Sequence, residues 1–322
     1  MKLNRFTLTG IAVSFAFAAS ASYAADYPEQ TITLVVPYSA GGGADNAARI
    51  IAQGMEAVSG QTVVIDNRPG ASGSIGAGVV SRAKPDGYTV LYDASSFAIN
   101  AVLRTLPYDA DKDFIPVTLA GIVPNILVVS TDSPYKTLDD YVSAAKAKPD
   151  TLTYASYGPG SLAQMAGELL KIDTGIEVTH IPYKGGAPAI VDVMGGHVDA
   201  YFANAASGLS YVTQGKLRAL AVTSKERMDE LKDTPTMIES GVEDFTVYEW
   251  NGFFVPQGTP AEAVDKLAKI VQGALERPDV HERLSGLGLE PVGNSPEEFA
   301  EFVKSEKARW ADVAKTNNIK VE

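Results

Sequence analysis

From residue 31 onward, short apolar runs alternate with longer stretches whose apolar positions recur at helical spacing. That alternation predicts strand–loop–helix units around a largely parallel sheet. Residues 31–37 form the first expected strand, and Ala47, Ala48, Ile50, Ile51 and Met55 mark the buried stripe of the helix after it. A second strand, 62–66, is broken by Asn67-Arg68-Pro69-Gly70, and a small-residue helix follows to about Arg82. Pro85-Asp86-Gly87 then turns the chain into a strand over 88–92. Three such units make one lobe.

A second series starts near Asn125: strand 126–130, helix 138–147, strand 151–155, helix 163–174, strand 177–181, helix 187–194, and strands 200–203 and 217–223. The extended segment 247–256 returns the chain to the first lobe, where helices over 260–276, around His281 and over 296–317 complete it. The fold class expected is therefore α/β with two lobes, joined by strand-like crossings near 120–126 and 247–253 and enclosing a hinged cleft. The expected division is 1–24 as a signal peptide, 25–124 with 249–322 as lobe 1, and 125–248 as lobe 2.

The signal peptide is read from Lys2 and Arg5, the apolar run 10–19, and the small residues Ser22 and Ala24, which place cleavage after Ala24 and the mature chain outside the cytoplasm, in the periplasm. The run is shorter than the roughly 20 residues a membrane span needs. No Cys follows to carry a lipid anchor.

Charge narrows the partners. The chain has 27 Lys+Arg against 39 Asp+Glu, and loss of Lys2 and Arg5 leaves 25 against 39, a net of −14. Nucleic acid, held mainly by basic residues on phosphates, is excluded. An anionic ligand is not excluded, because distant surface charge is screened within about 8 Å and backbone N–H groups can make a cleft locally positive. With zero Cys, stability rests on burial alone.

Catalytic patterns are missing. His180, His197 and His281 are scattered, and there is no Cys nucleophile, no G-x-S-x-G and no H-E-x-x-H. Asp139-Asp140 and Glu297-Glu298 fall where helices start and complement the helix dipole. Gly158-Pro159-Gly160-Ser161-Leu162-Ala163 fits a variant dinucleotide fingerprint, but export and the Pro weigh against it, and neither cofactor nor metal is expected.

What remains is a pair of glycine-containing loops, 38–45 in one lobe and 156–161 in the other, each ending a strand and opening a helix. The first N–H groups of a helix lack intrahelical partners and attract anions. Ser39, Gly42, Ser156, Gly158 and Ser161 could therefore hold one carboxylate with no Lys or Arg in either loop, while Asp45 orients the first loop. The simpler reading is that each glycine permits a turn and each Ser caps its helix.

The order of several motifs resembles the tripartite tricarboxylate transporter substrate-binding family, the Bug-type extracytoplasmic solute receptors. The matching stretches are Val36-Pro37-Tyr38-Ser39-Ala40-Gly41-Gly42-Gly43-Ala44-Asp45, Asp66-Asn67-Arg68-Pro69-Gly70, Lys84-Pro85-Asp86-Gly87-Tyr88 and Asp113-Phe114-Ile115-Pro116-Val117 in the first lobe. In the second they are Tyr154-Ala155-Ser156, Gly158-Pro159-Gly160-Ser161, His180-Ile181-Pro182-Tyr183-Lys184-Gly185 and Gly215-Lys216-Leu217-Arg218-Ala219.

The resemblance implies a periplasmic-binding-protein-like type II fold, with a carboxylate held between the 38–45 and 156–161 loops. It further implies delivery to membrane transporter subunits, or, as an alternative, sensing of the ligand by a membrane signalling partner. A monomer is expected. Where the family often has Thr-His-Ala this chain has Ser95-Ser96-Phe97, and a common Asp is replaced by Asn204, so Phe97 and Phe202 would favour an aromatic or longer-chain acid. The expected ligand-binding set is Tyr38, Ser39, Gly42, Gly43, Asp45, Ser95 and Ser96 from the first lobe. From the second it is Ser156, Gly158, Gly160, Ser161, Tyr183, Phe202 and Asn204.

Overall fold

A computed structural model describes residues 27–319, so the expected signal peptide and its cleavage point lie outside the described residues. The chain opens with β1 (Ile32–Val36), α1 (Gly43–Ser59), β2 (Val63–Asn67), α2 (Ser74–Val80), β3 (Thr89–Ala94), α3 (Ser96–Leu103) and the long strand β4 (Phe114–Ser130). It continues through α4 (Leu138–Ala147), β5 (Thr153–Ser156), α5 (Leu162–Thr174), β6 (Thr179–Pro182), α6 (Gly186–Met194), β7 (Ala200–Asn204), α7 (Ala205–Thr213) and β8 (Leu217–Val222). The remaining elements are β9 (Tyr248–Pro256), α8 (Ala261–Leu275), α9 (Pro278–Ser285), β10 (Glu290–Pro291) and α10 (Pro296–Thr316).

β1 pairs in parallel with β2 and β3, and β3 meets β9 antiparallel. β5 pairs in parallel with β6 and β7. β4 belongs to both sheets: its first part lies antiparallel to β9 up to the pair Pro124↔Tyr248, and from Asn125 on it pairs with β7 and β8. One strand thus changes partners within two residues, and the two sheets form the two lobes of an α/β, type II solute-binding fold. The strand expected at 126–130 is only the end of β4, whose earlier part is interrupted by Pro116 and register shifts that hide its pattern.

Two helices escape the periodicity reading. α3 is almost wholly apolar and α7 is built largely of small residues, so neither has a polar face to set a 3.6-residue rhythm. Elsewhere the local chemistry is explicit. Thr137 with Asp140, and Ser295 with Glu298, form reciprocal capping boxes that start α4 and α10. The acidic pairs at these places are helix starts, as their position in the sequence indicates.

The first-lobe core centres on Trp250, Phe254 and Phe299, with ring centroids 5.1–6.5 Å apart. Phe299 lies directly over Gly252 of β9, where a methyl group would sit 2.1 Å from its ring. Only glycine permits that approach. α10 does not stay within one lobe: at its C-terminal cap, Asn317 donates to the carbonyl and to Oε2 of Glu168 on α5, at 2.8 and 2.9 Å.

Candidate functional site

The loop between β1 and α1 ends at Gly42, which caps the helix without a side-chain hydrogen bond. The first-turn N–H groups of α1 are therefore left to an external acceptor. Asp45 does not face outward. Its Oδ2 accepts from Gly41 N (2.8 Å) and Arg49 Nε (2.9 Å), and its Oδ1 from Asn67 Nδ2 (2.8 Å). Burial pushes this carboxyl up, but Arg49, Gly41 and Asn67 together hold it below its ordinary value, so it is an ionised brace for the loop.

Tyr38 points inward. Its hydroxyl donates to Asp93 Oδ1 (2.7 Å) and lies 2.6 Å from Ser96 Oγ. Ser95 faces β9, with its N–H on Glu249 Oε1 (3.1 Å) and its Oγ accepting from Trp250 N (3.0 Å). Two acids therefore sit buried at the base of the first lobe. Burial raises Asp93 to about 7 against the donors Tyr38 and Ala94 N, with Glu249 adding to the rise; burial likewise raises Glu249, against Tyr157 and Ser95.

The second-lobe loop satisfies most of its own donors. Ser156 Oγ takes Gly158 N–H (3.2 Å), contacts Gly158 O (3.1 Å) and lies 2.7 Å from His180 Nε2. Gly160 N donates to Gln164 Oε1 (2.8 Å), and Ser161 caps α5 by accepting from Gln164 N (3.4 Å). Gly158 and Gly160 have φ of +144° and +76°, which a side chain rarely tolerates. His180, stacked on Tyr154, is pushed down to about 4 by burial and is neutral at pH 7.

Three other residues reach this loop from the first lobe. Ser72 Oγ and Arg104 Nη2 both donate to Pro159 O, at 3.0 and 2.9 Å, and Asn100, whose Nδ2 donates to Ser72 O (2.7 Å), has its Oδ1 3.0 Å from where a methyl on Gly160 would sit. The 156–161 loop thus faces Ser72, Asn100 and Arg104. The α1 loop instead faces α7, since a methyl at Gly43 would lie 3.4 Å from Ala206 Cβ. Asn204 caps α7 through Ala206 N (2.9 Å).

Two expected residues turn away. Phe202 is buried and stacked on Phe245, with centroids 6.1 Å apart, inside the second-lobe core. Because consecutive strand residues point to opposite faces, its neighbour Tyr201 is turned the other way. Tyr201 is fully buried, its hydroxyl has no hydrogen-bond partner, and a methyl at Gly186 on the first turn of α6 would lie 3.1 Å from it. Tyr183 spends its hydroxyl on Asp192 (2.6 Å). Phe97 is also core, stacked on Phe254 at 4.4 Å, so the aromatic-acid preference based on Phe97 and Phe202 loses its footing.

Sequence reasoning passed over Asp93, Glu249, Tyr157, Tyr201, Ser72, Asn100 and Arg104. For the acids a signal existed: Asp93 and Glu249 each interrupt an apolar, aromatic strand, where a carboxylate is costly unless it has a task.

Among the described residues no three acidic, His or Cys side chains gather as a metal site, and no helix is long and apolar enough to cross a membrane. A family model for the tripartite tricarboxylate transporter family receptor matches residues 47–319. Protein BugT of Bordetella pertussis is 34% identical over 326 residues, covering 100% of both chains. An R. palustris protein solved with adipate superposes with a TM-score of 0.85 at 37% identity, over 92% of this chain and 99% of that one. MatC of Rhodopseudomonas palustris, solved with bound malate, gives 0.80 at 34% identity, over 89% and 99%.

Proposed function

Since this chain belongs to the tripartite tricarboxylate transporter receptor family of periplasmic binding proteins, we propose that it captures a small aliphatic carboxylate and delivers it to the membrane subunits of such a transporter. The observation that carries the reading is the meeting of two helix N-termini at Gly43 and Ala206. The first-turn N–H groups of α1, uncapped by any side chain, offer hydrogen bonds and partial positive charge to an anion. Ser39, Gly42 and Gly43 contribute from this side, with Asn204 and the unpartnered Tyr201 hydroxyl opposite. Ser156, Gly158, Gly160 and Ser161 act through the shape of their loop, and Asp45, Ser95 and Ser96 by bracing the first lobe. The relatives solved with adipate and malate make an aliphatic diacid the leading class.

The same reading places the lobe division at 124/125 and 248/249, makes the protein a monomeric binder with no catalytic step, and has export remove residues 1–24. Calorimetric titration with mono-, di- and tricarboxylates, aromatic acids and the amide analogue of the best ligand tests it. Diacids should bind and the amide should not. Equal binding of acid and amide would remove the helix-terminus site, and turnover of the bound acid would make the protein an enzyme.

A further inference from the structure

The N-terminal turn of α5 already faces an acid supplied by the protein. Tyr157 lies in the loop before α5; its hydroxyl accepts from Leu162 N (3.2 Å), the first N–H of the helix, and donates to Glu249 Oε2. The other oxygen of Glu249 takes the Ser95 N–H. Glu249 sits in β9 opposite Val123, two residues before β4 changes sheets. Tyr157 follows β5, whose partners are β6 and β7. The contact therefore joins the two lobes, and every group in it belongs to the chain.

A second junction repeats the arrangement. Ser72 and Arg104 of the first lobe converge on the carbonyl of Pro159, two residues beyond Tyr157. We propose that Tyr157 with Glu249, seconded by Ser72 and Arg104 on Pro159, forms an interlobe latch that sets the open–closed balance of the cleft by protein contacts alone. Each of these residues is a positioning residue: it changes apparent ligand affinity by changing the fraction of molecules that are closed.

The chemistry gives a direction. In the closed form Glu249 is buried, and losing the Tyr157 hydroxyl would strand both its Oε2 and the Leu162 N–H; on opening, both could reach water. A hydrogen bond to a charged or acidic group shifts such a balance roughly ten- to hundredfold.

The absence of Cys makes the test direct. Cysteines introduced at the exposed positions Val64 on β2 and Val191 on α6 carry spin labels, one in each lobe. The protein is unfolded in guanidinium, stripped of small molecules and refolded, and the label distance distribution is measured without added carboxylate. The parent should give a short-distance population, whereas Tyr157→Phe should add a longer one and lower the short-to-long ratio roughly tenfold or more. A parent that is already open, or a folded Tyr157→Phe with an unchanged distribution, would overturn the latch. Where far-UV circular dichroism shows Tyr157→Phe to be misfolded, Ser72→Ala decides: its distribution must lengthen, and an unchanged one overturns the proposal. No ligand enters the measurement, so a failed carboxylate screen leaves it readable.

Discussion

Replacing Asp93 by Asn isolates the energetic consequence of an acid buried beneath the cleft. Asp93 is 1% exposed and carries a carboxyl raised from 3.8 to about 7, chiefly by burial. A carboxyl raised in the folded state stabilises fully below its unfolded value, and that contribution is lost as pH rises through the folded value. The gap between 3.8 and about 7 corresponds to on the order of 4 kcal/mol across the full titration. Between about pH 5 and about pH 8 the loss is roughly 2–3 kcal/mol, because part of the unfolded-state titration lies below that window. Asn keeps an oxygen for Tyr38 and for the Ala94 N–H, the two donors to Oδ1, and removes the titration. Urea unfolding at several pH values should show the parent losing about that much relative to Asp93→Asn as pH rises. Parallel curves would refute the argument, since they would require the buried carboxyl to titrate as if exposed.

Four further outcomes follow from the geometry. Ser156→Ala strips His180 and Gly158 of a shared partner, so unfolding free energy should fall by about 1–3 kcal/mol and carboxylate affinity with it; unchanged values in both would show that the loop does not depend on this hydroxyl. His180, lowered to about 4, stabilises above its ordinary value of 6.5 and loses that contribution as pH falls, so its imidazole resonances should stay in the neutral form down to about pH 5. Gly252→Ala forces a methyl against Phe299 and should cost about 1–3 kcal/mol in a denaturant titration, whereas a neutral result would mean the ring has room to move. Protein isolated from the native envelope should begin at Ala25 or Asp26 by mass spectrometry, and retention of Met1 would contradict export with cleavage.

Most of the architecture was legible because most of it is periodic. Units such as β1–α1 and β5–α5 carry an apolar strand, a turn that only Gly or Pro allows, and an amphipathic helix, and each is specified within some 25 residues. α3 and α7 were illegible for the converse reason. Their residues are apolar or small on every side, and what makes them helices is the lobe they are packed into. Only the end of β4 is legible as a strand, because its two halves serve two sheets, a fact set by partners about 87 to 142 residues away in the chain.

The site was legible where it is local and hidden where it is assembled. Gly42 and Gly43 announce an uncapped helix start, and Asp45 at the first turn announces a brace, all within one loop. Phe202 and Tyr201 could not be told apart in the same way, since both are large and sit in one apolar run. Only the pleat of β7 decides which ring fills the core and which hydroxyl is left without a partner. Pairing across the cleft is further still from the sequence, because it depends on how two separately specified lobes approach. That approach brings Gly43 to Ala206 and Pro159 to Ser72, so the α1 loop and the α5 loop, alike in composition, end in different roles. The first leaves the first turn of its helix without a side-chain cap, as the proposed anion site needs, and the second has given Leu162 N–H to Tyr157, Gln164 N–H to Ser161 and Gly160 N–H to Gln164. A chain with a net charge of −12 is compatible with the proposed carboxylate site under this division, since backbone dipoles at a helix N-terminus act at short range while charges farther than about 8 Å away are screened.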